Sequence, residues 1–203
     1  MNYDNRLPSV LREALSSRPL NRLSNVRPSY IEAAVLVPLV VENEEHKVLF
    51  TKRSQNVVHH KGQMSFPGGS RDDGDTSMEE TALRETFEEI GVPASDIEIL
   101  GKLDYALTVT SNFVIHPFVG IVPFPYDFII SVAEVESIVN IPLGVFHPEN
   151  IKNRRQVIQI EGGTYAGPAY EYEGDIIWGA TARIMENLMD IIGHKLTLPV
   201  LEK

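Results

Sequence analysis

"RETFEEIGV", Arg84 to Val92, sets an arginine and three carboxylates within six residues and then stops at a glycine. Extended backwards to "SMEETALRETFEEIG", it is rich in helix formers, and Gly91 suits the left-handed position that ends a helix, so the spacing predicts one. Asp75 and Thr76 stand where an N-cap is expected. On such a helix Leu83, Phe87 and Ile90 fall on one apolar stripe, with Glu85, Glu88 and Glu89 on the opposite side. Carboxylates three and four residues apart repel unless something positive lies between them. A hard divalent cation such as Mg²⁺ or Mn²⁺ is the obvious candidate, because it takes carboxylate oxygen and bridges to phosphates. Taken alone, however, a charge run of this kind is ordinarily the solvated face of an amphipathic helix.

Outward from this helix the chain reads as one domain. Its 203 residues are 43% hydrophobic, enough to bury a core. Residues 1–30 hold an amphipathic piece around Val10 to Leu15 and a proline-containing arm expected to pack on the domain formed by 31–203. "AAVLVPLV" and "VLFTKR" are two strands around the polar turn "ENEEHK". "IEILGKLDYALT", "FVIHPFVGIV", "SIVNIPL", "RQVIQIEG" and "AYEYEGDIIWG" are further strand candidates. A last helix runs from about Ala180 to Ile192 and closes at Gly193. The class is mixed α/β, with a mixed or antiparallel sheet covered by helices.

Eighteen basic against 28 acidic residues leave a formal charge of −10, which repels nucleic acid and anionic membranes. The absence of cysteine removes disulfides, thiol nucleophiles and thiolate metal sites, and fits a reducing compartment. No apolar stretch approaches the ~18 residues that span a bilayer, and neither end carries a targeting signal, so a soluble cytoplasmic protein is expected. Phosphate-loop, His-Glu-x-x-His and calcium-loop patterns are all missing.

The loop before the helix ends "FPGG", Phe66 to Gly69, where glycines let backbone approach a ligand closely. From Gly69 onward, "GSRDDGDTSMEETALRETFEEIGV" resembles the Nudix box: Gly69, Arg84, Glu85, Glu88, Glu89, Gly91 and Val92 match. Asp75 stands at the usual first Glu, eight rather than seven residues separate it from Arg84, and Thr86 replaces an apolar residue. Upstream, "LFTKRSQNVVHHKGQMSFPGG" resembles the motif of the coenzyme A pyrophosphatase branch through Leu49, Thr51, Arg53, Ser54, Gly62 and Phe66 to Gly69. Phe50 replaces a Leu, and Val58 stands where that branch has an Arg. "IWGATARI" near the C-terminus is also similar to that branch.

The resemblance implies a Nudix fold, an α/β/α sandwich with a mixed sheet, and hydrolysis of the diphosphate of coenzyme A or its derivatives to 3′,5′-ADP and 4′-phosphopantetheine. Other Nudix substrates (ADP-ribose, NADH or another nucleoside diphosphate derivative) and a non-catalytic nucleotide sensor are the alternatives. It implies Mg²⁺ or Mn²⁺ held by Glu85, Glu89 and Glu88, with the Gly68 carbonyl as a backbone ligand. Glu85 or the downstream Glu134 is the base. Arg84 is expected to fix a glutamate through charge-assisted bonds, its alternative being an ordinary surface ion pair. Arg53, His59, His60 and Lys61 are candidate phosphate contacts. Trp178, Tyr170 and Tyr172 could stack on adenine, though strand aromatics usually pack a core. The expected partner is a small molecule, and a homodimer is allowed.

Overall fold

The computed structural model describes residues 6–20, 29–57, 60–108, 112–150, 154–160 and 163–192. Val58, His59, the arm at 21–28 and the closing Gly193 lie outside these residues. In chain order the elements are α1 (Leu7–Ser17), β1 (Ile31–Glu42), β2 (Glu45–Arg53), β3 (Met64–Ser65), β4 (Gly68–Ser70) and α2 (Met78–Ile90). After a 3-10 turn at Ala94–Asp96 come β5 (Glu98–Lys102), β6 (Ala106–Leu107), β7 (Phe113–Ile121) and β8 (Val135–Pro142). A second 3-10 turn, Leu143–Phe146, leads to β9 (Arg154–Ile160), β10 (Gly163–Tyr172), β11 (Asp175–Trp178) and α3 (Gly179–Ile192).

β1 is the spine. It pairs antiparallel with β2 through a two-residue turn in which Asn43 and Glu44 both take positive φ, the geometry that matches strand twist. On its other side it pairs in parallel with β7, so the sheet is mixed, in the order β3-β2-β1-β7-β5, with β4 on β1, β6 on β7 and β8 on β2. β9, β10 and β11 form a smaller antiparallel sheet. Because successive strand residues face opposite ways, β1 serves two cores. Val37 and Leu39 join the cluster that contains Leu7, Leu11 and Leu15 of α1 and Met185, Leu188 and Ile192 of α3. Ala34, Leu36 and Val40 join Ala82 and Ile90 of α2. The result is the expected α/β/α sandwich. Among the described residues, no helix is long and apolar enough to cross a membrane.

The helix placement needs two corrections. Its N-cap is neither Asp75 nor Thr76 but Ser77, whose Oγ accepts from the Glu80 amide at 3.1 Å, while the Glu80 carboxylate reaches back to the Thr76 amide at 2.7 Å. Asp75 is engaged elsewhere, as shown below. The buried face is Thr81, Ala82, Thr86, Glu89 and Ile90, whereas Phe87 is 55% exposed. Small side chains at 82 and 86 seat the helix on β1 and turn Phe87 outward. Thr86 is buried because its hydroxyl donates to the Ala82 carbonyl at 2.7 Å, which satisfies the polar atom inside its own helix.

Candidate active site

At ~100° per residue, Glu89, Glu85 and Glu88 step around α2 by about 40° and then 60°, from core to solvent. Glu89 is only 3% exposed. Glu85 is largely covered and Glu88 is half exposed. The three therefore trace one edge of the helix rather than a solvated face.

The FPGG turn fits this edge. A Cβ on Gly69 would lie 2.5 Å from the Glu85 carboxyl carbon, so the carboxylate rests directly on the glycine. Gly68, at φ +152°, meets the β1 backbone, where a Cβ would lie 2.3 Å from the Ala34 carbonyl oxygen. β4 can lie on Ala34 and Val35 of β1 only with a glycine at position 68.

Arg84 organises the outer carboxylates. Its Nε and Nη2 donate to Asp75 at 3.0 Å each, Nη1 donates to Glu85 at 2.9 Å and Glu88 at 3.3 Å, and Nη2 also reaches the Ser70 carbonyl at 3.1 Å. Asp75 is buried and also accepts from the Thr81 hydroxyl and the Asp72 amide. These bonds, Arg84 first, hold its carboxyl well below the usual range. Asp75 thus departs from the expected Glu because it anchors the arginine inside the fold. Its distance from Arg84 in sequence was the available signal.

Glu89 is different. Burial pushes its pKa up to about 8; the Arg53 charge and a backbone hydrogen bond at Gly68 oppose the shift, while Glu134 and Glu85 add to it. Its Oε2 is buried without a hydrogen-bond partner. Glu85 is also raised, by burial first and against the pull of Arg84. Arg53, at the end of β2, comes close enough to act on Glu89, and its Nε is buried without a partner. Glu134 is exposed at the rim, and its carbonyl accepts from the Ser54 amide at 2.8 Å.

The structure therefore brings together Gly68, Arg84, Glu85, Glu88, Glu89, Arg53 and Glu134. His60 and Lys61 are exposed on the preceding loop, with His60 bonded to Gln63. Tyr170 packs edge-on against Phe146 in the core, Tyr172 packs against the same core and Trp178 lies against Tyr165. Among the described residues, no three acidic or histidine side chains already converge as a metal-ligand set. Arg84 draws Glu85 and Glu88 to itself, and Glu89 points inward. The donors nevertheless suit a hard divalent cation: all are oxygens, and the orphaned Glu89 Oε2 is the kind of atom a cation satisfies.

A sequence profile described as the NUDIX domain matches residues 32–150. An uncharacterized Nudix hydrolase NudL of Escherichia fergusonii is 34% identical over 194 residues, covering 93% of this chain and 90% of that protein. Its namesake in Yersinia enterocolitica is 39% identical over 158 residues, covering 77% and 78%. Among solved structures, a MutT/nudix family protein from Enterococcus faecalis superposes with a TM-score of 0.56 at 17% identity, over 89% of this chain and 67% of that one. The Nudix hydrolase RenU from M. smegmatis gives 0.54 at 15% identity, over 85% and 90%.

Proposed function

The chain belongs to the Nudix hydrolase family, and from that premise we propose that it cleaves the diphosphate of coenzyme A or its derivatives to 3′,5′-ADP and 4′-phosphopantetheine. The observation that supports the substrate is the upstream stretch from Leu49 to Gly69, which resembles the motif of the coenzyme A branch except at Phe50 and Val58 and has both Arg53 and Gly69 at the site. Arg53 stands beside Glu89, and Gly69 lies under Glu85.

Nudix hydrolases generally use divalent metal ions, and Glu85, Glu88, Glu89 and the Gly68 carbonyl are the residues that would hold one here. When bound, the cation neutralises the diphosphate and the charge that develops as water attacks phosphorus. Arg84, anchored by Asp75, sets where Glu85 and Glu88 point. Arg53 offers its unpartnered Nε to the anionic substrate. Glu85 or Glu134 takes the proton from the attacking water, and both lie close enough to interact. The cysteine-free composition accords with a cytoplasmic setting.

Val58 in place of the branch's Arg favours a second reading, hydrolysis of ADP-ribose, NADH or another nucleoside diphosphate derivative. The purified protein is incubated with coenzyme A, ADP-ribose or NADH, each with Mg²⁺, Mn²⁺ or chelator, and products are resolved by chromatography. Metal-dependent 3′,5′-ADP from coenzyme A alone is the expected result. Turnover of only the other two shifts the substrate. Binding without any turnover makes the domain a nucleotide sensor.

A further inference from the structure

The face of the sheet that carries α2 holds a second polar cluster, made of residues that are not matched positions of the motifs. On β7, His116 is the parallel partner of Ala34 on β1, and Ala34 is in turn the partner of Gly69 on β4. Gly69, Ala34 and His116 thus form one row across three strands and face the same way, so His116 lies about 10 Å from the glycine under Glu85. Around it stand Glu32 from β1, Lys102 from β5, Arg71 from the segment after β4, and Tyr105, whose ring lies 4.6 Å from the imidazole. Lys102 Nζ is held over the Phe118 ring at 4.9 Å.

We propose that Arg71, Lys102 and His116 form an anion subsite for a phosphate monoester on the ribose of the substrate's nucleotide half, which in coenzyme A is the 3′-phosphate. This rests on the diphosphatase reading above.

Three observations carry it. The cluster places two permanent cations and a histidine against one carboxylate, a local positive charge on a chain whose formal charge is −10. His116 Nε2 is buried and has no hydrogen-bond partner. The Glu32 carboxylate stops 3.6 Å from this nitrogen and 3.7 Å from Arg71 Nη1, both beyond hydrogen-bond length. A half-exposed carboxylate hovering between two donors marks where an anion is attracted without being bound, and it is free to swing out. Burial, the largest effect on His116, lowers its pKa despite Glu32, so the ring is not committed to an ion pair. The third observation is continuity. Arg71 Nη2 donates to the Asp75 carbonyl at 3.1 Å, and Asp75 anchors Arg84, so the cluster joins the acidic edge of α2 through three residues.

The test is calorimetric binding of 3′,5′-ADP and of 5′-AMP, without metal, to the wild-type protein and to Lys102→Met and His116→Ala. Lys102 is exposed, so its replacement leaves the core alone. The expected result is roughly tenfold tighter binding of 3′,5′-ADP, with each substitution removing about three- to tenfold of that preference. Equal affinities, no binding of either nucleotide, or a preference that both variants retain overturns the subsite. In parallel, the ratio of kcat/KM for coenzyme A over 3′-dephospho-coenzyme A should fall in both variants, through KM. If coenzyme A is not hydrolysed but the calorimetric preference follows the variants, the diphosphatase reading fails and the subsite stands. Hydrolysis of coenzyme A with no calorimetric preference gives the reverse.

Discussion

Arg84 and Asp75 meet fork to fork: Nε on one carboxylate oxygen and Nη2 on the other, both at 3.0 Å, with the aspartate buried. This pair leaves Nη1 to hold Glu85 and Glu88. Asp75→Asn strips the charge that matches a partly buried guanidinium and should cost about 3 kcal/mol. Activity should fall roughly ten- to a hundredfold as the glutamates lose their anchor. Because the folded protein holds the Asp75 pKa below its ordinary value of about 3.8, its stabilisation is present above about that pH and is lost as pH falls below it. Acid unfolding followed by circular dichroism should therefore show less stability lost below pH ~4 in the variant; unchanged acid sensitivity would contradict the pairing.

Glu89 has the opposite sign. Its pKa is raised from 4.5 to about 8, so in the metal-free protein its contribution is full below about pH 4.5 and is lost as pH rises through about 8. Melting temperatures in chelator should decline over that range in the wild type and decline less in Glu89→Gln. A divalent cation should offset the decline in the wild type, with release of protons. Turnover of Glu89→Gln should drop by on the order of 10²–10³. Parallel melting profiles, or unaltered turnover, would remove Glu89 from the site.

The two glycines separate site from scaffold. A methyl on Gly69 meets the end of a flexible side chain, the Glu85 carboxyl, whereas a methyl on Gly68 meets the β1 backbone at a positive φ. Gly69→Ala should lower kcat with little change in melting temperature. Gly68→Ala should destabilise by more than ~2 kcal/mol, read from urea unfolding. Equal thermal losses in both would contradict this division.

Thr86→Val should be nearly neutral, within about 1 kcal/mol, because the hydroxyl it removes bonds the Ala82 carbonyl inside the same helix. A larger loss in denaturant titration would mean that the hydroxyl has another role.

The strands and the two long helices were legible because alternation and helical spacing report which faces are covered, whereas the sandwich was implied by the family resemblance. The stripe through Leu83, Phe87 and Ile90 failed at Phe87 because spacing alone cannot tell that Ala82 and Thr86 are small enough to seat the helix. The same seating buries Glu89, which the motif marks as a metal ligand but helical spacing puts on the side opposite the apolar stripe. The acidic edge was found from its motif, but the role of Asp75 required seeing Arg84 fold back nine residues. The Glu32, Arg71, Lys102 and His116 cluster had no sequence signal, since its members come from separate strands and a loop brought together by register.

The parallel pairing of β1 with β7 also governs when this site can exist. Everything from the first hairpin through α2 and β5 is made before β7, yet β1 lacks its central partner until Ile121 has been synthesised. At ~5–20 residues per second, the early half of the chain waits several seconds with the β7 edge of β1 unpaired. Such a distant closure slows folding relative to local contacts. Chains truncated before β7 would leave this edge of β1 open to association with other chains.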